Sequence, residues 1–160
     1  MKGNPEVIIL LNKGLALELT AVNQYLAQSK MCKHWGYQKL AAKLFMDYQE
    51  ERIHAETLID RVLFLEGNPE IKVGEQIHLG TNVQEQLEND LQLETSTVNF
   101  YNQVIPVCTQ AKDAGSREIS EFLLKSSEED TLELESQLNL IKQIGLQNYL
   151  IEQIGGGEAH

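Results

Sequence analysis

Proline is scarce in this chain of 160 residues, with three in all, and proline is what ends or kinks helices. Long uninterrupted helices are therefore open to it. Cysteine is scarcer still. Cys32 and Cys108 are too few and too far apart for a disulfide framework or a thiolate zinc site, and they suit a reducing compartment. No apolar run reaches the roughly 20 residues that span a bilayer. The opening "MKGNPEVIILLNKG" lacks the long apolar region and small-residue cleavage site of a secretory leader. Basic residues are outnumbered, 13 Lys and Arg against 24 Asp and Glu, for a net charge of −11. Without a basic patch nucleic acid is excluded as a partner. An acidic chain concentrates cations around itself instead. The expectation is a cytoplasmic protein with neither a nucleic-acid nor a membrane partner.

What is present is helical periodicity. Hydrophobic content of 42% and charged content of 23% are ordinary for a soluble globule, and the length suits one domain with a sizeable core. Apolar residues recur at steps of three and four through most of the chain. The pattern predicts helix 1 over about Pro5 to Lys33, with Pro5 in the first turn and a break at Gly36. Helix 2 is predicted over about Tyr37 to Leu65, ending at the turn signal "EGNPE". Residues 67 to 81 read as an extended connection. Helix 3 is predicted over about Val83 to Ala111. "KDAGSRE" then offers Gly115 as a terminator and Ser116 as an N-cap for helix 4, which runs to about Ile144. After Gly145, "LQNYLIEQI" reads as a short fifth helix. The expected domain is 1–154, and "GGGEAH" closes the chain as a flexible tail over 155–160. Short links make antiparallel hairpins of helices 1 and 2 and of helices 3 and 4. The longer link can cross the length of a bundle, so the fold is expected to be all-α, a four-helix bundle with one long crossover.

The apolar seams of these helices carry an anomaly. Helix 1 gives Leu11, Leu15, Glu18, Val22 and Tyr25. Helix 2 gives Leu40, Leu44, Asp47, Glu51, His54, Leu58 and Leu65. Helix 3 gives Leu87, Leu91, Glu94, Val98, Tyr101 and Ile105. Helix 4 gives Ile119, Leu123, Ser127, Asp130, Leu134, Leu138 and Ile141. Each stripe is interrupted by polar residues near its middle. Glu18 lies 17 residues before Trp35 and Glu51 lies 16 after it, so the two face each other across the first hairpin. Glu51 and His54, three apart, share a face. A lone seam histidine can be a hydrogen-bonded core residue, and a seam glutamate can mean a misdrawn seam. The coincidence of Glu18, Glu51, His54 and Glu94 at one level argues instead for a metal. Buried carboxylates at one level repel and are costly to desolvate, and a cation relieves both. Carboxylate oxygens with imidazole suit iron or manganese better than thiophilic metals.

"MKGNPEVIILLN", "ELTAVNQY", "FLEGNPEI", "DLQLE" and "GLQNYLIEQI" give the chain a close resemblance to bacterioferritin, over nearly its whole length. The resemblance implies a ferritin-like four-helix bundle with one long crossover and a short fifth C-terminal helix. It implies a hollow shell of about 24 subunits that stores iron as a ferric mineral, a di-iron ferroxidase centre inside each bundle, and haem held between paired subunits by methionines. The family's di-iron pattern places one Glu on each of helices 1 and 3, and Glu-x-x-His on each of helices 2 and 4. Glu18, Glu51, His54 and Glu94 match it. The fourth helix departs, because the second Glu-x-x-His falls on Ser127 and Asp130. Glu128 and Glu129 are turned about 100° or 200° off the face. The haem methionine of the family sits directly after the helix-2 metal Glu, and here that residue is Arg52. Met31 and Met46 read as packing residues.

These readings combine into candidate metal ligands Glu18, Glu51, His54, Glu94 and Asp130, with Glu18, Glu51, His54, Glu94 and Tyr25 as candidate catalytic residues. Tyr25 has two readings, a packed aromatic with a hydrogen bond or the electron-donating tyrosine the family implies. Arg52, Glu50, Arg61 and Glu66 read as solvated or subunit-interface charges. The expected function is an iron-storage subunit of a bacterioferritin-like shell with a degenerate ferroxidase centre and no methionine-ligated haem. The shell is homo- or hetero-oligomeric, with a full-site or haem-binding subunit as a conceivable partner. The alternative is an autonomous ferroxidase that oxidises iron(II) with dioxygen or peroxide, its second site completed by Asp130 and a displaced Glu128 or Glu129. A helical interaction protein without metal chemistry is disfavoured by four ionisable groups on apolar seams.

Overall fold

The computed structural model describes residues 1–74 and 76–155. Five helices account for its regular structure: α1 (Pro5–His34), α2 (Gln38–Phe64), α3 (Val83–Gln110), α4 (Ala114–Ile144) and α5 (Leu146–Gln153). No strand occurs among the described residues. The expected all-α, ferritin-like bundle with a fifth short helix is what the chain forms. Of the tail expected at 155–160, residues 156–160 lie outside the described residues.

The helix starts follow from their capping chemistry. The Asn4 side chain accepts the Glu6 and Val7 N–H groups ahead of Pro5, and Asn82 accepts the Glu85 N–H at 3.0 Å. At the start of α4 the structure departs from the expectation. The cap is Asp113 rather than Ser116. Its carboxylate accepts both the Ser116 N–H at 2.9 Å and the Ser116 hydroxyl at 2.7 Å. It also pairs with Arg61 Nη2 at 2.6 Å. A charged oxygen at a helix N-terminus is a stronger acceptor than a hydroxyl. The left-handed turn that ends α3 is taken by Lys112, at φ 56°, and Gly115 lies inside α4. A Cβ at Gly115 would come 2.6 Å from the Arg61 guanidinium. Arg61 is accordingly no free surface charge. It ties α2 to the first turn of α4 and lies over the Phe64 ring.

The crossover runs up α1 on a polar stripe. Asn12 donates to the Asn68 carbonyl at 3.0 Å and accepts the Glu70 N–H at 2.9 Å. The Gly74 N–H reaches the Ala16 carbonyl and Thr20 Oγ1, each at 3.0 Å. Gln24 accepts from His78 N–H and Gln28 donates to the Leu79 carbonyl. The five residues 12, 16, 20, 24 and 28 stand four apart, one helix face. The connection starts at the N-terminal end of α1 and finishes at its C-terminal end, so α3 runs antiparallel to α1. Gly74 is required by close approach, since a Cβ there would sit 3.0 Å from Ala16.

Packing divides the interior into two apolar clusters. One holds Val7, Leu11, Leu15, Leu58, Val62 and Leu123 among others. The second holds Ala21, Leu40, Leu44, Leu87, Ile141 and Tyr149 among others. α5 packs on its own bundle: Tyr149 is buried and donates to Gln137 at 2.9 Å. The seam positions between the clusters are the polar ones.

Candidate metal centre

Glu18, Glu51, His54 and Glu94 are 2–4% exposed, between the two clusters. On α1 Glu18 falls between Leu15 and Ala21. On α2 Glu51 and His54 fall between Leu44 and Leu58. On α3 Glu94 falls between Leu87 and Tyr101. The apolar neighbours bury the whole face and carry the ionisable groups in with it.

Two groups of ligand-bearing side chains converge there. Glu18, Glu51 and His54 each place one ligand atom within 4.8 Å of the others, and so do Glu51, Glu94 and Asp130. His54 turns Nδ1 inward, 3.2 Å from Glu51 Oε2 and 3.6 Å from Glu18 Oε2. Among the described residues, Glu51 is the one carboxylate that belongs to both groups. Ser127 is buried, with its hydroxyl beside Glu94. Glu128 and Glu129 stay exposed on α4. Their turn away from the seam leaves them no approach to either group.

Two phenols brace the carboxylates. Tyr25 donates to Glu94 Oε1, and Tyr101 donates to Glu18 Oε1 at 2.7 Å. Tyr25 was singled out in the sequence, whereas Tyr101 was assigned no role. The signal for it was present: Leu11, Leu15, Glu18, Val22, Tyr25 and Leu87, Leu91, Glu94, Val98, Tyr101 share one spacing. Gly14, buried inside α1, makes room for the second phenol, because a Cβ there would lie 3.1 Å from the Tyr101 oxygen. Gly inside a helix costs about 0.5–1 kcal/mol, and this contact explains its presence.

The electrostatics are those of crowded acids. Burial raises the Glu51 carboxyl well above its ordinary range, and the neighbouring Glu18 charge adds to the rise. Burial raises Glu94 well above its range too, with Asp130 adding to it. Asp130 is pushed up to about 7 by burial and by Asp47. Burial works against the charged form of Glu18, but hydrogen bonds from Glu51, His54 and Tyr101 outweigh it and the net shift is downward. Burial disfavours His54 in its charged form, and Glu18 beside it reverses the sign and raises its pKa. Burial and crowding thus disfavour the charged forms of Glu51 and Glu94, while the net balance favours that of Glu18. A divalent cation would favour the charged forms of all three. Hard oxygens with one imidazole nitrogen fit iron(II).

Next to the second group lies a cavity of about 270 Å³, lined by Tyr25, Lys43, Asp47, Asp90, Asp130 and Tyr149 among others. Lys43 bridges Asp47 and Glu133 beside it. Arg52 points away from the centre, half exposed, and pairs with Glu56 at 3.7 Å. Met46 is exposed, and Met31 lies against Gln86.

The family profile for the ferritin-like domain matches residues 8–144. The chain belongs to the ferritin family. It is 44% identical over 155 residues to a bacterial ferritin of Pseudomonas aeruginosa, covering 96% of this chain and all of that protein. A bacterial ferritin of Synechocystis is 41% identical over 155 residues, with 96% and 99% covered. A bacterioferritin of Mycobacterium bovis is 37% identical over 149 residues, with 93% and 94% covered. Membership accounts for the four-helix bundle and its short fifth helix.

One buried acid near the centre gives a pH test. Asp90 is fully buried, accepts from Gln24 at 2.8 Å through Oδ1, and leaves Oδ2 without a partner, as Gln28 Oε1 is left. Burial pushes Asp90 up to about 7. A raised carboxyl pKa means the folded state binds the proton more tightly than the unfolded chain. Its contribution to stability is complete below about 4, the ordinary carboxyl value, and is lost as pH climbs through about 7. Asp90→Asn is neutral at every pH and escapes that loss. Thermal unfolding at pH 5.5 and 8.5 should show the variant gaining on the parent by roughly 1–3 kcal/mol at the higher pH. A pH-independent difference would mean Asp90 is ionised throughout.

Proposed function

We propose that the chain is an iron-storage subunit of a bacterioferritin-type shell, with iron(II) as the substrate of a degenerate di-iron ferroxidase centre. The observation that carries this reading is the convergence of Glu18, Glu51 and His54 within 4.8 Å in a buried layer. The first iron(II) is held there by two carboxylates and His54 Nδ1. Glu51 is shared with the second position, where Glu94 and Asp130 are its companions. Neither position has the second bridging carboxylate that the family pattern puts at residue 127, and the second position also lacks the imidazole that it puts at 130. Ser127 is neutral and too short to bridge. Asp130 is a shorter donor that holds iron(II) loosely. Slow iron(II) oxidation follows, because oxidation by paired irons needs both held together by bridging ligands.

The autonomous ferroxidase remains the second reading, favoured by the proximity of Glu51, Glu94 and Asp130. In that reading those three carboxylates alone complete the second position, since Glu128 and Glu129 are exposed. Comparing the oxidation rate of the chain alone with that of a shell co-assembled with a full-site subunit separates the two. The double change Ser127→Glu with Asp130→His supplies the missing bridge and imidazole. It should speed iron(II) oxidation at least about tenfold, roughly 1.4 kcal/mol of barrier, followed by stopped-flow absorbance of ferric iron. Rapid oxidation of two irons per subunit by the parent, or no gain in the variant, overturns the half-site account.

Assembly into a shell is part of the same reading. α5 packs within its own bundle, so it does not by itself call for a neighbouring subunit. Support comes instead from the family and from large apolar side chains left on the surface. Ile9, Met46, Ile53, Leu63, Phe64 and Phe122 are each more than half exposed, apolar area that subunit contacts would cover. Light scattering in dilute neutral buffer should report a particle of many subunits, and a stable monomer or dimer would refute it. Haem added to that particle should give no methionine-ligated low-spin spectrum, because Arg52 offers a cation where a soft neutral sulfur is needed.

A further inference from the structure

The two halves of the centre differ in which phenol serves them. α1 and α3 present Glu and Tyr seven residues apart, Glu18 with Tyr25 and Glu94 with Tyr101. The hydrogen bonds cross, each tyrosine donating to the glutamate of the opposite helix. Tyr101 is thereby attached to the half that keeps Glu18, Glu51 and His54. Tyr25 is attached to Glu94, in the half that lost its imidazole.

An iron(II) alone in the first half can give one electron, whereas reduction of hydrogen peroxide to water takes two. With the second iron position poorly held, the other electron has to come from a side chain if no hydroxyl radical is to be released. Tyr101 is the oxidisable group nearest to Glu18: it is 1% exposed and its oxygen is 2.7 Å from Glu18 Oε1. We propose that Tyr101 supplies the second electron when hydrogen peroxide is reduced at the Glu18–Glu51–His54 iron position, its phenol proton passing to Glu18. The inference rests on the reading that iron(II) binds there.

The step balances. The O–O bond of peroxide breaks. Iron(II) becomes iron(III) and the phenol becomes a phenoxyl radical, one electron from each. Glu18 takes the phenol proton, and two protons from solvent complete two waters. A second iron(II) then reduces the radical, and Glu18 returns the proton to Tyr101. The sum is two iron(II) oxidised per peroxide, with no hydroxyl radical released. Glu18 is suited to the proton because its Oε1 already accepts the phenol hydrogen, while Oε2 faces His54. Gly14 keeps the space for the phenol oxygen open.

The test mixes the assembled protein, loaded with no more than one iron(II) per subunit, with hydrogen peroxide and freezes it within milliseconds for electron paramagnetic resonance. The parent and Tyr25→Phe should both show a phenoxyl signal. Tyr101→Phe should lose it about tenfold or more, and a spin trap should then capture hydroxyl radical. Incorporation of 3-fluorotyrosine at position 101 keeps the side chain in place and should add a fluorine splitting to the signal. A signal that survives Tyr101→Phe, disappears in Tyr25→Phe, or gains no splitting overturns the proposal, as does a parent with no radical. Cobalt(II) titration of the parent, Glu51→Gln and Tyr101→Phe keeps the two readings apart. Binding by the parent and Tyr101→Phe but not by Glu51→Gln shows that iron coordination stands, so that a lost radical belongs to Tyr101. No cobalt binding by the parent would sink the metal reading itself, and this inference with it.

Discussion

Burial of several carboxyl groups in one thin layer is the constraint that the rest of this bundle accommodates. Glu18, Glu51 and Glu94 are each almost wholly removed from water, and like charges in such a place disfavour one another's ionisation. The apolar clusters on either side, with fully buried Leu58, Leu15 and Leu123 on one and Leu87 and Leu44 on the other, offset that cost. The layer itself is held in order by neutral donors. Tyr25 and Tyr101 each donate a hydrogen bond to a glutamate, and the Ser127 hydroxyl lies beside Glu94. His54 is the single basic side chain among these buried groups, and a divalent cation placed between them would relieve the crowding of the acids.

The same layer explains features that otherwise look like defects. A glycine inside a thirty-residue helix weakens it, yet a side chain at Gly14 would crowd the Tyr101 phenol that donates to Glu18. A run of amides and hydroxyls on a buried helix face is costly unless paired. Asn12, Thr20, Gln24 and Gln28 find their partners in the crossover, which fixes the antiparallel course of α3 against α1. That course is what brings Glu94 level with Glu18. Arg61 performs a related task at the far end, joining α2 to the cap of α4.

Much of this was legible before any coordinates. The four long helices were read to within a few residues, because steps of three and four persisted over whole segments and Gly36, the "EGNPE" turn and Gly145 punctuated them. Glu18, Glu51, His54 and Glu94 were legible as interruptions of apolar seams. The start of α4 was misread, since a serine beside a glycine is a good local cap signal and the sequence did not reveal that Arg61 would draw Asp113 into that position. The repeated Leu-Leu-Glu-Val-Tyr spacing was on view, but spacing alone does not say that two tyrosines cross to each other's glutamates.

Local chemistry therefore determined, from the sequence by itself, which segments are helical, which face of each is buried, and which ionisable residues that face carries inward. These depend on neighbours one or two turns away. The tertiary structure alone decided which carboxylates meet: that Glu51 is shared between two groups, that Asp130 reaches Glu51 and Glu94 while Glu128 and Glu129 do not, and that Tyr101 serves Glu18. Those pairings join residues as many as 83 positions apart. They depend on the relative height and rotation of packed helices, and a shift of a single residue in either turns a side chain about 100° away from its partner.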